Sequence, residues 1–238
     1  MIIHEIDKEY KSTNMIRHLA RLSDCIFAFA MALMVAGFDF PDAKDMTDAQ
    51  INSFLMGQLK PLGTYVITFV LVAVYWIAHS QQVSYYRRTD ETHLWIGVVY
   101  LMCLFIVPLS NDLLMSFPKS FMVKVWFSVN IFLIGILSFV SWTYATYNHR
   151  LVDLSLDKRV IWSTRVKALI EPVFALVSIA VAFLNQGLWD YVWLVIPIVY
   201  FLVERFFKEE RTAKVAKVAK VAKQEIQSRV RESHHSLH

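Results

Sequence analysis

The residues with most to say about chemistry are polar groups set in apolar surroundings. The run His18-Leu19-Ala20-Arg21-Leu22-Ser23-Asp24 opens a stretch that stays apolar to Phe38. An aspartate one turn inside such a stretch needs a partner, because an ionised side chain costs several kcal/mol in lipid. The segment Tyr75-Trp76-Ile77-Ala78-His79 offers two. Trp76 and His79 are three apart, hence on one helix face, and the imidazole of His79 can donate or accept. An Asp24–His79 contact with Ser23 and Trp76 nearby is therefore expected; the alternative is two independent interfacial residues in water. Glu171, followed by Pro172, is expected to snorkel or cap a turn, and Asp190 and Glu204 to sit at interfaces. Enzymatic chemistry finds no support. His79, His93 and His149 are widely separated in the chain, and neither a His-Glu-x-x-His motif nor a nucleophile elbow occurs. No catalytic residue, metal site or cofactor is expected. Cys25 and Cys103 read as small core residues.

The elements that must hold these groups follow from composition. Of 238 residues, 56% are hydrophobic and 18% charged, against roughly 25% charged in an ordinary soluble domain. A mean hydropathy of +0.43 points to lipid as the solvent. The apolar stretches are Leu22–Phe38, Leu62–Ile77, Leu94–Leu114, Phe121–Tyr147, Val166–Leu184 and Leu188–Phe207. Each is near the roughly 20 residues that cross a bilayer as a helix, and none alternates as a barrel strand would. The second begins at Pro61, with Phe54–Leu59 as a candidate surface helix before it. The expected fold is all-α: an integral membrane protein with six transmembrane helices.

Lys and Arg concentrate before the first stretch (Lys8, Lys11, Arg17, Arg21), after the second (Arg87, Arg88), after the fourth (Arg150, Lys158, Arg159, Arg165, Lys167) and in the tail. The first-to-second loop instead carries Asp39, Asp42, Asp45 and Asp48 against Lys44 and Lys60, and the fifth-to-sixth turn only Asp190. Lys119 and Lys124 blemish the third-to-fourth loop. This alternation predicts both termini on the cytoplasmic side. It also argues against reading the first stretch as a cleaved signal peptide. Residues 1–207 would form the membrane domain and 208–238 a basic cytoplasmic tail. The tail's Ala-Lys-Val repeat winds its lysines round the helix without an amphipathic face, giving at most a weak pull on anionic lipid; nucleic-acid binding is not expected.

The run His18…Leu22-Ser23-Asp24 resembles the Arg-x-x-x-Phe-Ser-Asp signature of the endolysosomal potassium channel family and its prokaryotic single-repeat members. Trp76-x-x-His79, Arg88, Asp90, Leu94-Trp95 and Pro108-Leu109-Ser110 resemble that family's run through helices two and three. The resemblance covers residues 17–112. In strict register His18 holds the motif's arginine position, between Arg17 and Arg21, and Leu22 holds its phenylalanine position; Gly97 stands where an asparagine often occurs.

The resemblance implies that the first helices of four identical subunits surround a path for potassium ions in the cell membrane. The residues allow it. Leu22, Ile26, Phe29, Leu33 and Ala36 follow 4-3-4-3 spacing, one stripe on a helix, while Ala28, Ala30 and Ala32 lie off it and permit close helix approach. Generic core or lipid-facing packing would give the same stripe. In the family's register Phe29, Leu33 and Ala36 fall on the constriction, and Ala32 stands where relatives often carry a hydroxyl. A hydrophobic constriction conducts when wetted, and no Thr-x-Gly-Tyr-Gly filter segment occurs, so only modest preference for K⁺ over Na⁺ is implied. His18, Arg21, Leu22, Ser23, Asp24, Trp76, His79 and Asp90 would form the network anchoring the helices. A secondary transporter is the alternative function, but no internal repeat with broken helices is visible.

Overall fold

The computed structural model describes residues 2–35, 46–203 and 205–207, and the side chains of these except residues 2–9 and 60. The aspartates of the first loop before Asp48, Ala36, Glu204 and the basic tail lie outside the described residues. The helices are α1 (Ile2–Leu33), α2 (Asp48–Gly57), α3 (Leu59–Tyr85), α4 (Glu91–Phe105), α5 (Val107–Ser116), α6 (Phe121–Thr146) and α7 (Lys158–Leu184), followed by α8 (Gln186–Phe207). Two compact units are distinguished. Met1–Ile198 holds everything discussed below. In Val199–His238 the described residues are helical.

The protein is an all-helical, multi-pass membrane protein. Five spans are long and apolar enough to cross a bilayer among the described residues: Asp48–Tyr85, Glu91–Ser116, Phe121–His149, Lys158–Leu184 and Gln186–Phe207. The sixth expected span falls on α1. The first half of α1 is polar and the helix ends at Leu33, so the described part of the stretch falls short of a span.

Three boundaries differ from the sequence reading. The second stretch starts at Leu59, not Pro61; the proline sits in the first turn, where its missing N–H costs nothing. The surface helix before it is longer than expected, opening at Asp48 behind a capping box of Thr47 and Gln50. The third stretch bends at Ile106, whose N–H reaches Cys103 O in a tighter turn, because Pro108 has no N–H to offer Leu104. The α4–α5 pair still counts as one span.

The tightest helix pair is α6 with α7. Gly135 on α6 lies where a Cβ would come within 2.5 Å of Pro172 Cδ and 2.8 Å of Glu171 Cβ, so the missing side chain is what lets α7 seat. Glu171 is thereby enclosed at 3% exposure and does not snorkel as expected. Lys124, the blemish in the charge pattern, is buried too. Its Nζ donates to Gln186 O, lies 3.6 Å from Asp190 and sits over the Trp189 ring. Lys124 is therefore an enclosed, paired cation and not an exposed loop charge. Beside it, Ser178 and the Trp189 indole both donate to Ser128 Oγ, joining α6, α7 and α8 in lipid-excluded space.

Candidate functional site

Helix α1 is two-faced. Ile16, Leu19, Ser23, Phe27, Ala30 and Met34 are buried against neighbouring helices, with Ala30 and Met34 fully enclosed. Two residues of α4 outside the expected network explain the fit. Gly97 on α4 leaves room for Leu19, whose Cδ2 would stand 3.1 Å from an added Cβ. Tyr100, also on α4, stacks on His79 with centroids 4.9 Å apart, and Phe27 packs on both rings. The opposite side of α1 is uncovered: Leu22, Phe29 and Leu33 are exposed, Phe29 at 63%, and Ile26 is half-buried. Ala28 and Ala32 lie on the exposed side and Ala30 on the packed one. Cys25 is exposed rather than a core residue; Cys103 is buried as expected.

The polar pairing between α1 and α3 is the expected four residues in a different arrangement. Asp24 Oδ1 accepts the Trp76 indole N–H at 2.9 Å, and His79 Nε2 pairs with Ser23 Oγ at 3.0 Å. Asp24 and His79, expected in contact, share no hydrogen bond. Ser23 spends its single proton on Leu19 O, 2.8 Å away, so its oxygen is left to accept and the proton belongs to Nε2 of His79. The physical reason is helix rotation. Ser23 falls on the packed face with the buried imidazole, and Asp24, 100° further round, reaches the half-exposed indole at the rim. His18 and Arg21 are exposed, and neither bonds Asp24 within the chain.

Asp90 anchors a second cluster whose other members sequence reasoning overlooked. It caps α4 by accepting the His93 N–H at 2.9 Å, and its Oδ2 accepts from Tyr144 Oη at 2.8 Å and Arg150 Nε at 3.1 Å. Partial burial pushes the carboxyl up, but these hydrogen bonds and the Arg150 charge outweigh it and hold Asp90 below the usual carboxylate range. The His93 ring is buried, hydrogen-bonded to Thr89 Oγ1 and Ser141 Oγ and stacked on Tyr144. Thr89 in turn exchanges hydrogen bonds through both backbone groups with Ser12 of α1. One signal was available: an aspartate placed just before an apolar run, as Asp90 is, is an N-cap pattern.

Ser110, in the Pro108-Leu109-Ser110 run, accepts the Trp126 indole at 3.1 Å and the Asn130 amide at 3.2 Å, fixing α5 to α6. The family-like positions from Ser23 to Ser110 are thus mostly packing and hydrogen-bond joints. Apart from the half-exposed Trp76, the site residues left uncovered are those on the outer face of α1.

Residues 18–108 match the family model described as the endosomal/lysosomal potassium channel TMEM175. A protein named potassium channel from Streptomyces collinus is 22% identical over 70% of this chain and 82% of its own length. The endosomal/lysosomal proton channel TMEM175 of Danio rerio is 20% identical over 57% of this chain, but only 26% of that longer protein. Among solved structures, the lysosomal potassium-selective channel TMEM175 homolog from Chamaesiphon minutus superposes with a TM-score of 0.69 at 20% identity, covering 79% of this chain and 97% of that one. A variant of the potassium channel MtTMEM175 gives 0.58 at 16% identity, covering 80% and 93%. The segment that matches the TMEM175 family model coincides with the α1–α5 framework, and over most of its length the chain has the fold of the TMEM175 channel structures.

Proposed function

We propose that the protein is a potassium-permeable cation channel of the cell membrane, in which the α1 helices of four copies surround the ion path. The observation that carries the reading is the apolar stripe Leu22, Ile26, Phe29 and Leu33, uncovered on a helix whose other face is tightly packed. In a bundle of four such helices that stripe turns inward, and the names borne by the relatives fit the reading. Phe29 and Leu33 form the narrowest rings, with Ile26 on the cytoplasmic side and Ala32 beside them; Ala36 completes the set outside the described residues. A partly hydrated ion passes only when the rings are wetted, so discrimination between K⁺ and Na⁺ is modest. Both termini face the cytoplasm. Residues 1–207 are the channel domain and 208–238 a cytoplasmic tail. The permeant ion is the only small partner required.

Flux through purified protein in liposomes, with K⁺, Na⁺ and H⁺ compared, tests this. Protons belong in the comparison because one relative is named a proton channel. Phe29→Ala is expected to raise K⁺ flux about tenfold or more, because four lost rings lower the dewetting barrier by more than the ~1.4 kcal/mol a factor of ten requires. Unchanged conduction would remove Phe29 from the constriction, and absence of flux from the parent protein would overturn the channel reading.

A further inference from the structure

Three cations at the helix ends have an internal anion. Arg150 is paired with Asp90 at 3.1 Å, Arg87 with Asp153 at 3.8 Å, and buried Lys124 with Asp190 at 3.6 Å. Arg165, half-buried in the second turn of α7, is different. Among the described residues no carboxylate lies within ion-pair distance of it. Its one side-chain hydrogen bond is a long 3.4 Å contact from a terminal guanidinium nitrogen to Thr146 Oγ1 on α6, and its Nε is buried with no partner. One turn before Thr146, on the same face, Thr143 Oγ1 is also buried and unpartnered. A guanidinium and a hydroxyl, each short of a partner, thus share the α6–α7 junction.

A half-desolvated cation without a counter-ion is costly, and its fork of N–H donors matches phosphate or carboxylate oxygens. The surroundings favour a lipid phosphate. Lys158, seven residues earlier and so about 20° round the helix, is exposed on the same face. Trp162, one turn before Arg165, is 60% exposed, as an interfacial anchor would be. The apolar run of α7 begins at the next residue, Val166. The first turn of α7 is held to α6 by the Trp142 indole, which donates to Ile161 O at 3.0 Å, so the seat is rigid.

We propose that Arg165 and Thr143, flanked by Lys158 and Trp162, bind the phosphate of an anionic phospholipid at the basic boundary of the membrane between α6 and α7. The guanidinium supplies the charge and the directional donors, Thr143 the hydroxyl donor, and Trp162 the contact with the glycerol and upper acyl region. The proposal does not depend on where the pore lies, and its readout requires no conduction.

The full chain is reconstituted in nanodiscs of phosphatidylcholine alone or with phosphatidylglycerol, and retained lipid is counted by native mass spectrometry alongside thermal unfolding. The parent protein is expected to retain phosphatidylglycerol and to unfold at higher temperature in its presence. Arg165→Gln should lower retention about tenfold, the scale of losing a charge-assisted hydrogen-bond pair, and abolish the lipid-dependent rise. Thr143→Val should lower retention by a smaller factor, and decides the matter if Arg165→Gln does not fold. Retention unchanged in the variants that fold overturns the site. A parallel arm adds millimolar inorganic phosphate to phosphatidylcholine discs. If that alone reproduces the stabilisation and displaces the glycerophospholipid, the ligand is a soluble phosphate and the lipid assignment is overturned.

Discussion

Ser23 and Asp24 are adjacent, yet each is matched to a donor of different burial. The imidazole N–H of His79 has Ser23 Oγ as its acceptor in a site closed by Phe27 and Tyr100, whereas the Trp76 indole meets Asp24 at an exposed rim. The costs of removing them should therefore be ordered against the usual ranking of charge over hydroxyl. Ser23→Ala leaves a buried N–H unsatisfied and is expected to cost about 1–3 kcal/mol, while Asp24→Asn keeps an oxygen acceptor and should cost about 1 kcal/mol or less. Thermal unfolding of the two variants in one detergent checks the order; an equal or larger loss for Asp24→Asn contradicts it. Under the four-copy reading, Asp24→Asn should show its main effect in assembly, as a lowered tetramer yield in light scattering.

At the scale of elements, two glycines make opposite predictions from the same geometry. An alanine at Gly135 would place its Cβ 2.5 Å from Pro172 Cδ and 2.8 Å from Pro172 N, a ring and a backbone that cannot turn aside. The gain in helix propensity, about 1 kcal/mol, is smaller than the overpacking strain, so Gly135→Ala should destabilise by about 1–3 kcal/mol or shift α7. At Gly97 the nearest atoms are the end of the flexible Leu19 side chain at 3.1 Å, and Gly97→Ala should be within about 1 kcal/mol of neutral. Unfolding temperatures of both variants, measured side by side, test the contrast.

Across the molecule, α1 near Ser12, the start of α4 and the end of α6 are fastened by the cluster around Asp90 and His93. Arg87 N–H reaches Leu151 O, Arg88 Nε reaches Arg150 O, and Ser12 closes the link to α1. The folded-state pKa of Asp90 lies below its unfolded value of about 3.9, so its contribution is fully present above that value and is lost as pH falls through the folded one. Asp153, held low by hydrogen bonds from Ser155, acts in the same direction. Asp90→Asn should lower the unfolding temperature at pH 7 and make the decline below about pH 4 shallower than in the parent protein. A parallel decline in both proteins would show that Asp90 carries no share of the acid sensitivity.

Composition and apolar run length by themselves determined that the chain is helical and crosses a membrane, because about 20 unbroken apolar residues have few other stable fates. Spacing also determined the stripe from Leu22 to Leu33, since 4-3-4-3 periodicity is a property of one helix. The identity of the four residues joining α1 to α3 was legible as well, but their pairing was not: which of Ser23 and Asp24 faces His79 depends on how α1 is rotated against its neighbours. Burial of Lys124 and Glu171 was likewise invisible, because enclosure comes from packed neighbours, the start of α8 for Lys124 and α6 for Glu171, and not from the local run. His93 lies 51 residues before Tyr144 and 57 before Arg150, and only the packing of α4 on α6 makes them one cluster. Sequence sets what each helix must hide; tertiary structure decides from whom, since that is fixed by shape and partner at distances the local pattern does not encode.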